Sequence, residues 1–87
     1  DNKLLIDGRL DIDELNKYLK HPLIDEDDYE TVSGLILNFL NRLPVQGEEI
    51  EYDGITFVIE NIIDNRIGKI KLISEENFNL EELENLK

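Results

Sequence analysis

The chain has no cysteine, methionine or tryptophan, one histidine, and two prolines among 87 residues. Without cysteine there is neither a disulfide framework nor a thiolate metal site, and His21 alone cannot form a histidine cluster. No apolar run approaches the roughly 18–20 residues needed to span a bilayer. The N-terminus lacks the charged, apolar and small-residue succession of a signal peptide. The absence of Met at position 1 leads us to expect a domain excised from a longer protein. Basic residues are scarce too, nine Lys and Arg against 21 Asp and Glu, for a formal net charge of −12. Such a surface repels phosphate backbones and anionic lipid, which argues against nucleic-acid binding and against direct insertion into a membrane.

What is present reads as one small globular domain of the α+β class. The run "NKLLIDG" ends on the turn pair Asp7-Gly8 and reads as a short strand. In "LDIDELNKYLKHP", Asp11 and Glu14 have capping-box spacing, Leu10 and Leu15 can form a hydrophobic staple, and Pro22 closes a helix ending by about Lys20. A second box, Asp27 and Glu30, opens a helix whose apolar stripe is Tyr29, Val32, Leu35, Ile36, Phe39, Leu40 and Leu43. Gly34 within it costs roughly 1 kcal/mol of helix propensity relative to Ala, which close packing of another backbone would explain.

After Gly47 the period changes from 3.6 to 2. Asp53-Gly54 flanked by alternating apolar residues is a strong hairpin signal. It pairs Tyr52 with Ile55 and Ile50 with Phe57. A second turn at Asp64-Asn65 pairs Ile59 with Ile70 and Phe57 with Leu72. The expected product is a three-stranded antiparallel meander packed on the two helices, with Glu60 across from Lys69. Val58, Ile62 and Ile67 fall on its outer face. The tail "ENFNLEELENLK" has Asn79 and Glu82 at capping spacing and an apolar edge of Leu80, Leu83 and Leu86, so a C-terminal helix is expected. The candidate interaction surface is therefore Val58, Ile62, Ile67, Leu80, Leu83 and Leu86, and the domain division is residues 1–74 and an acidic helical extension, 75–87.

Catalytic chemistry is hard to find. Thr31 and Ser33 fall in a helix and Thr56 in a strand, while His21 beside Pro22 is placed to meet a helix C-terminal dipole. No nucleophile–base pair emerges, and an enzyme is not expected. "DEDDYETVSGLI" and "DGRLDIDELNKY" lack the Gly and Glu positions of an EF-hand loop. Asp25, Asp27 and Asp28 remain as surface candidates for a hard divalent cation. "PVQGEE" leads out of a helix with two glutamates where a phosphate would sit, so a turn accounts for it better than a nucleotide cradle.

Taken in order, "DGRLDIDELNKYL", "DYETVSGLILNFLNRLPVQGEEIEYDGITFVIE" and "NRIGKIKL" resemble the transporter-associated domain of the CorC/HlyC family, over roughly residues 3–73. The resemblance implies the small C-terminal module of hemolysin-like and magnesium and cobalt efflux proteins. It would follow a membrane domain and a pair of CBS domains on the cytoplasmic side and modulate ion transport. Its partners would be those neighbouring CBS and membrane domains, with a homodimer as a further partner. The fold implied is similar to part of the FAD-binding domain of flavoprotein oxidases, which makes an FAD or adenine-nucleotide binding module the alternative function. A weak divalent-cation sensor is the second alternative. No catalytic residue is carried over.

Overall fold

A computed structural model describes residues 2–23, 29–76 and 78. Its elements are β1 (Lys3–Asp7), α1 (Ile12–Asn16), α2 (Val32–Leu40), β2 (Glu49–Tyr52), β3 (Ile55–Ile59), β4 (Ile62–Ile63), β5 (Arg66–Ile67) and β6 (Lys69–Ser74). The sheet has four strands in the order β1-β6-β3-β2, not three, because β1 pairs antiparallel with β6. The pairings Tyr52–Ile55, Ile50–Phe57, Phe57–Leu72 and Ile59–Ile70 are those expected from the turn residues. Both turns place two successive residues at positive φ, Asp53 and Gly54 at 54° and 81°, Asp64 and Asn65 at 51° and 62°. That double left-handed geometry matches the twist of the flanking strands, and Asp, Asn and Gly reach it at least cost.

The second hairpin is not continuous with the sheet. Its ladder is interrupted at Asn61 and Gly68, where Asn61 Oδ1 takes the Lys69 N–H at 2.6 Å and the Gly68 N–H bonds the Asn61 carbonyl at 3.0 Å. A Cβ on Gly68 would lie 2.1 Å from Asn61 Oδ1, so a larger residue there would displace the Asn61 side chain from its bond to the Lys69 N–H. Beyond the interruption the alternation of faces is reset. Ile67 is buried in the core and Ile62 packs against it, while Ile63 and Arg66 are exposed. Ile67 is thus removed from the outer face on which strict alternation put it.

The helix starts also differ from expectation. Asp11 makes no side-chain cap bond, and Glu14 instead binds Lys17 Nζ at 3.1 Å. The cap of α2 is Thr31, whose Oγ1 accepts the Gly34 N–H at 3.1 Å. Asp27 lies outside the described residues. The lead-in segments of the two helices form an antiparallel bridge at Asp11 and Thr31. Across it the Ile12 N–H donates to the Glu30 carbonyl and the Val32 N–H to the Leu10 carbonyl, both at 3.0 Å, while the Ser33 N–H reaches the Gly8 carbonyl at 2.9 Å. First-turn N–H groups have no intrahelical acceptor, and here each helix start finds carbonyls in the strand that leads to the other. After α1 the chain follows irregular turns rather than continuing as helix to Lys20. Asn16 pins it by a two-way bond to the backbone of Leu23, at 2.8 and 3.2 Å.

One core joins these parts. Phe57, Ile59, Ile70 and Leu72 from the inner sheet face and Leu15 and Val32 from the helices are fully buried. Phe78 is buried in the same cluster, beyond the expected boundary at residue 74. The C-terminal helix expected from Asn79 onward lies outside the described residues.

A Cβ added to Gly34 would have Thr31 Oγ1 as its nearest neighbour, at 3.2 Å, so the capping hydroxyl, not a neighbouring backbone, crowds that position. This generates a coupled prediction. Thr31→Ala costs about 1 kcal/mol of stability through the lost cap. Gly34→Ala is neutral or destabilising in the parent chain, yet gains up to about 1 kcal/mol of helix propensity once Thr31 is Ala. Urea unfolding of the four variants checks it, with a coupling of about 0.5 kcal/mol or more expected.

Candidate interaction surface

Among the described residues no group of three or more His, Asp or Glu side chains could hold a metal ion. Asp25, Asp27 and Asp28 lie outside those residues, as do Leu80, Leu83 and Leu86. His21 does not sit at a helix end. It faces Glu76, with Nε2 3.2 Å from Oε2, at a cleft of about 180 Å³ that also involves Asp53, Glu75 and Phe78. Small-molecule sites usually enclose about 300–1,000 Å³. Asp53, Glu75 and Glu76 on this lining oppose a pyrophosphate and Lys20 alone carries a permanent positive charge, so the cleft is smaller and more acidic than an ordinary dinucleotide site. Another cleft, about 120 Å³ beside Asp7, Arg9 and Arg66, is smaller still.

The surface is more informative than its clefts. On α2 the stripe residues Val32, Leu35 and Ile36 are buried, but Phe39 is 51% exposed and Leu43, past the helix, 37%. The reason is topological. Phe39 stands over β2, an edge strand, and its ring meets Tyr52 edge-on with centroids 5.2 Å apart. Among the described residues no strand lies beyond β2 to cover the outer side of that ring. Asn41 ends α2 in the left-handed conformation, φ 59°, and its N–H returns to the Leu37 carbonyl at 2.8 Å. The following loop presents Val45, 65% exposed. Periodicity placed Phe39 and Leu43 in the core, and Val45 carried no signal beyond its place beside Pro44.

An ionic strap holds this loop. Glu48 accepts from both terminal nitrogens of Arg42 and from the Val45 N–H at 3.0 Å, while Arg42 also reaches the Leu43 carbonyl at 3.4 Å. The Arg42 guanidinium, seconded by the Val45 N–H, lowers the Glu48 carboxyl to about 2. Asp7 is likewise held at about 2, by the Arg9 side chain and then the Arg9 backbone N–H. Of the expected surface, Val58 is half-buried on the outer sheet face and Ile62 is half-buried against the core. The structure therefore does not unite Val58, Ile62 and Ile67 into one patch.

A pH dependence follows from the strap. Glu48's folded pKa lies below the roughly 4.3 of a free glutamate, so its contribution is complete above about pH 5 and is lost as pH falls toward 2. Glu48→Gln should lower the urea midpoint at pH 7, and the gap between variant and parent should narrow below about pH 5 and close only near pH 2. Using the gap rather than the absolute midpoint removes the relief of self-repulsion that any chain of net charge −12 gains on acidification.

Comparison with known proteins agrees with this architecture. The model of the CorC_HlyC family, the transporter associated domain, matches residues 1–76. Hemolysin C of Brachyspira hyodysenteriae is 39% identical over 72 residues, which are 83% of this chain and 27% of that protein, so the chain spans about a quarter of this relative. A CorC_HlyC transporter associated domain from Nitrosomonas europaea has a TM-score of 0.74 at 33% identity, covering 83% of this chain and 86% of that one. The corresponding domain of a Xylella fastidiosa hemolysin, in complex with magnesium and manganese ions, has a TM-score of 0.69 at 31% identity, covering 85% and 89%. The chain belongs to the CorC/HlyC transporter-associated domain family.

Proposed function

We propose that this chain is a regulatory module of a larger hemolysin-like or magnesium and cobalt efflux protein, acting through contacts with neighbouring domains rather than by catalysis. The observation that carries this reading is the group of exposed apolar side chains Phe39, on the last turn of α2, and Leu43 and Val45, on the following loop strapped by Arg42 and Glu48. Exposed apolar side chains held on a rigid support suit a docking contact. Family membership supplies the context, a transporter-associated domain. In this reading the module lies on the cytoplasmic side, beside CBS and membrane domains. It biases their equilibrium by binding one arrangement better than the other. Val58 on the outer sheet face and the leucines of the tail are further contact candidates.

Phe39→Asp combined with Val45→Asp in the full-length parent tests this. Both positions are exposed, so circular dichroism of the isolated chain should be unchanged. Ion efflux from cells carrying the doubly substituted parent should shift in its half-saturating ion concentration by about fivefold or more, the scale of ordinary allosteric coupling. Deletion of the whole module with unchanged transport would sink the reading. Titration of the isolated chain with FAD and ATP separates the alternative, since heat of binding at micromolar ligand would point to a nucleotide module instead.

The similar Xylella fastidiosa domain, in complex with magnesium and manganese ions, supports a second reading, divalent-cation sensing, for which Asp25, Asp27 and Asp28 are the candidates offered by the sequence. A rise in melting temperature with Mg2+ or Mn2+ beyond that given by matched ionic strength supports it.

A further inference from the structure

The two margins of the sheet are built differently. In the β1–β6 ladder the Ser74 N–H bonds the Asn2 carbonyl at 3.0 Å and the Gly8 N–H bonds the Gly68 carbonyl at 2.8 Å. Antiparallel ladders alternate, so the even-numbered residues between them, Leu4 and Ile6, also point their backbone groups at β6. Leu5 therefore directs both its N–H and its carbonyl away from the sheet, at an edge with no partner strand among the described residues. Its side chain is 60% exposed on the outer face. At the other margin, Ile50 and Tyr52 pair with β3 and the backbone of Glu49 and Glu51 faces outward. Self-pairing there would set glutamate against glutamate, the usual protection of an edge strand.

Among the described residues no such like-charge pairing guards β1, which reads Lys-Leu-Leu-Ile-Asp. Turned antiparallel on itself about Leu5, this segment is self-complementary. Lys3 meets Asp7 of the second copy at both ends, Leu4 meets Ile6, and Leu5 meets Leu5. The central pair falls in the hydrogen-bonding register, so each Leu5 N–H can donate to the other's carbonyl. Leu5, Lys3 and Asp7 share the outer face, and the exposed leucine would be covered by its symmetry mate. We propose that β1 is a homodimerisation edge, joining two copies about a two-fold axis at Leu5 into one eight-stranded antiparallel sheet.

Sedimentation velocity of the chain up to about 1 mM, where even a weak edge contact populates a complex, should show dimer. Salt of about 0.15 M or more limits repulsion between the two acidic copies. Leu5→Pro removes the outward N–H and spares the bonds to β6, a substitution edge strands accept. It should raise the dimer dissociation constant about tenfold or more, because two symmetric hydrogen bonds are lost. If Leu5→Pro loses its circular dichroism, Leu5→Lys is read in its place, since it sets two ammonium groups together at the axis.

The chain has no native cysteine, so Leu5→Cys gives an unambiguous cross-link. Paired residues in that register lie about 5.5 Å apart at Cα, within disulfide range. Disulfide dimer should form about tenfold faster than with Leu37→Cys on α2, owing to the raised local concentration. A strictly monomeric chain overturns the proposal. So does a dimer indifferent to both Leu5 substitutions and uncross-linked at position 5. A monomer whose Leu5 amide resists hydrogen exchange also overturns it, and would identify another segment as the occupant of the edge.

Discussion

The fold depends on an exchange of backbone hydrogen bonds between the starts of its two helices. Helix starts are costly places to bury, because their first N–H groups have no intrahelical acceptor. Here Leu10, Gly8 and Glu30 offer carbonyls to Val32, Ser33 and Ile12 around the Asp11–Thr31 bridge. Thr31 Oγ1 satisfies the next N–H. Both helices can therefore begin at the edge of the core without a charged cap. The bridge also fixes where Leu15 and Val32, both fully buried, enter the core shared with Phe57 and Ile70. The turn at Asp7 belongs to the same arrangement, since it carries the chain from β1 to the carbonyls of Gly8 and Leu10 and is closed by the Leu10 N–H on the Asp7 carbonyl at 3.0 Å.

From this frame the sheet and the surface follow in different ways. The sheet is governed by local turn chemistry and by the inner apolar row, which leave little freedom in register. The surface is governed by where the sheet stops. Phe39 is exposed because β2 is the last strand at its margin among the described residues, and Ile63 because the hairpin tip has left the main ladder. The loop after α2 is held by side-chain polar contacts, with Glu48 serving both a guanidinium and a backbone N–H. In the proposed reading, such a contact would transmit a preference between arrangements of the neighbouring domains.

The elements that could be read from sequence were those whose cause is local. Asp53-Gly54 and Asp64-Asn65 are residues that tolerate positive φ, and alternation around them set the pairings. What could not be read has its cause far away along the chain. Nothing in "KLLID" says that its partner is Lys69–Ser74. The Asp11–Glu14 spacing suggested a capping box, but Asp11 forms no side-chain cap and a carbonyl from Glu30 already serves the Ile12 N–H. Thr31-x-x-Gly34 lacks the acidic third residue of that pattern and so hid a true cap. Helical period marked Phe39 as core because period reports a face and not the edge of the sheet beneath it. Ile67 was misplaced by a single side chain, Asn61, which interrupts the ladder and resets the faces. The Arg42–Glu48 strap joins ends of a loop whose closure the sequence does not display.

The outward-facing Glu49 and Glu51 bear on how far a sheet of this kind can grow. A sheet with two permissive margins can add copies at either side without limit, which is the geometry of a fibre. In this chain the β2 margin repels its own kind, so pairing of one β2 edge with another is disfavoured. In a dimer paired through β1 as proposed, both outer margins would be β2, and growth by β2–β2 pairing would be disfavoured by two carboxylates on a four-residue strand.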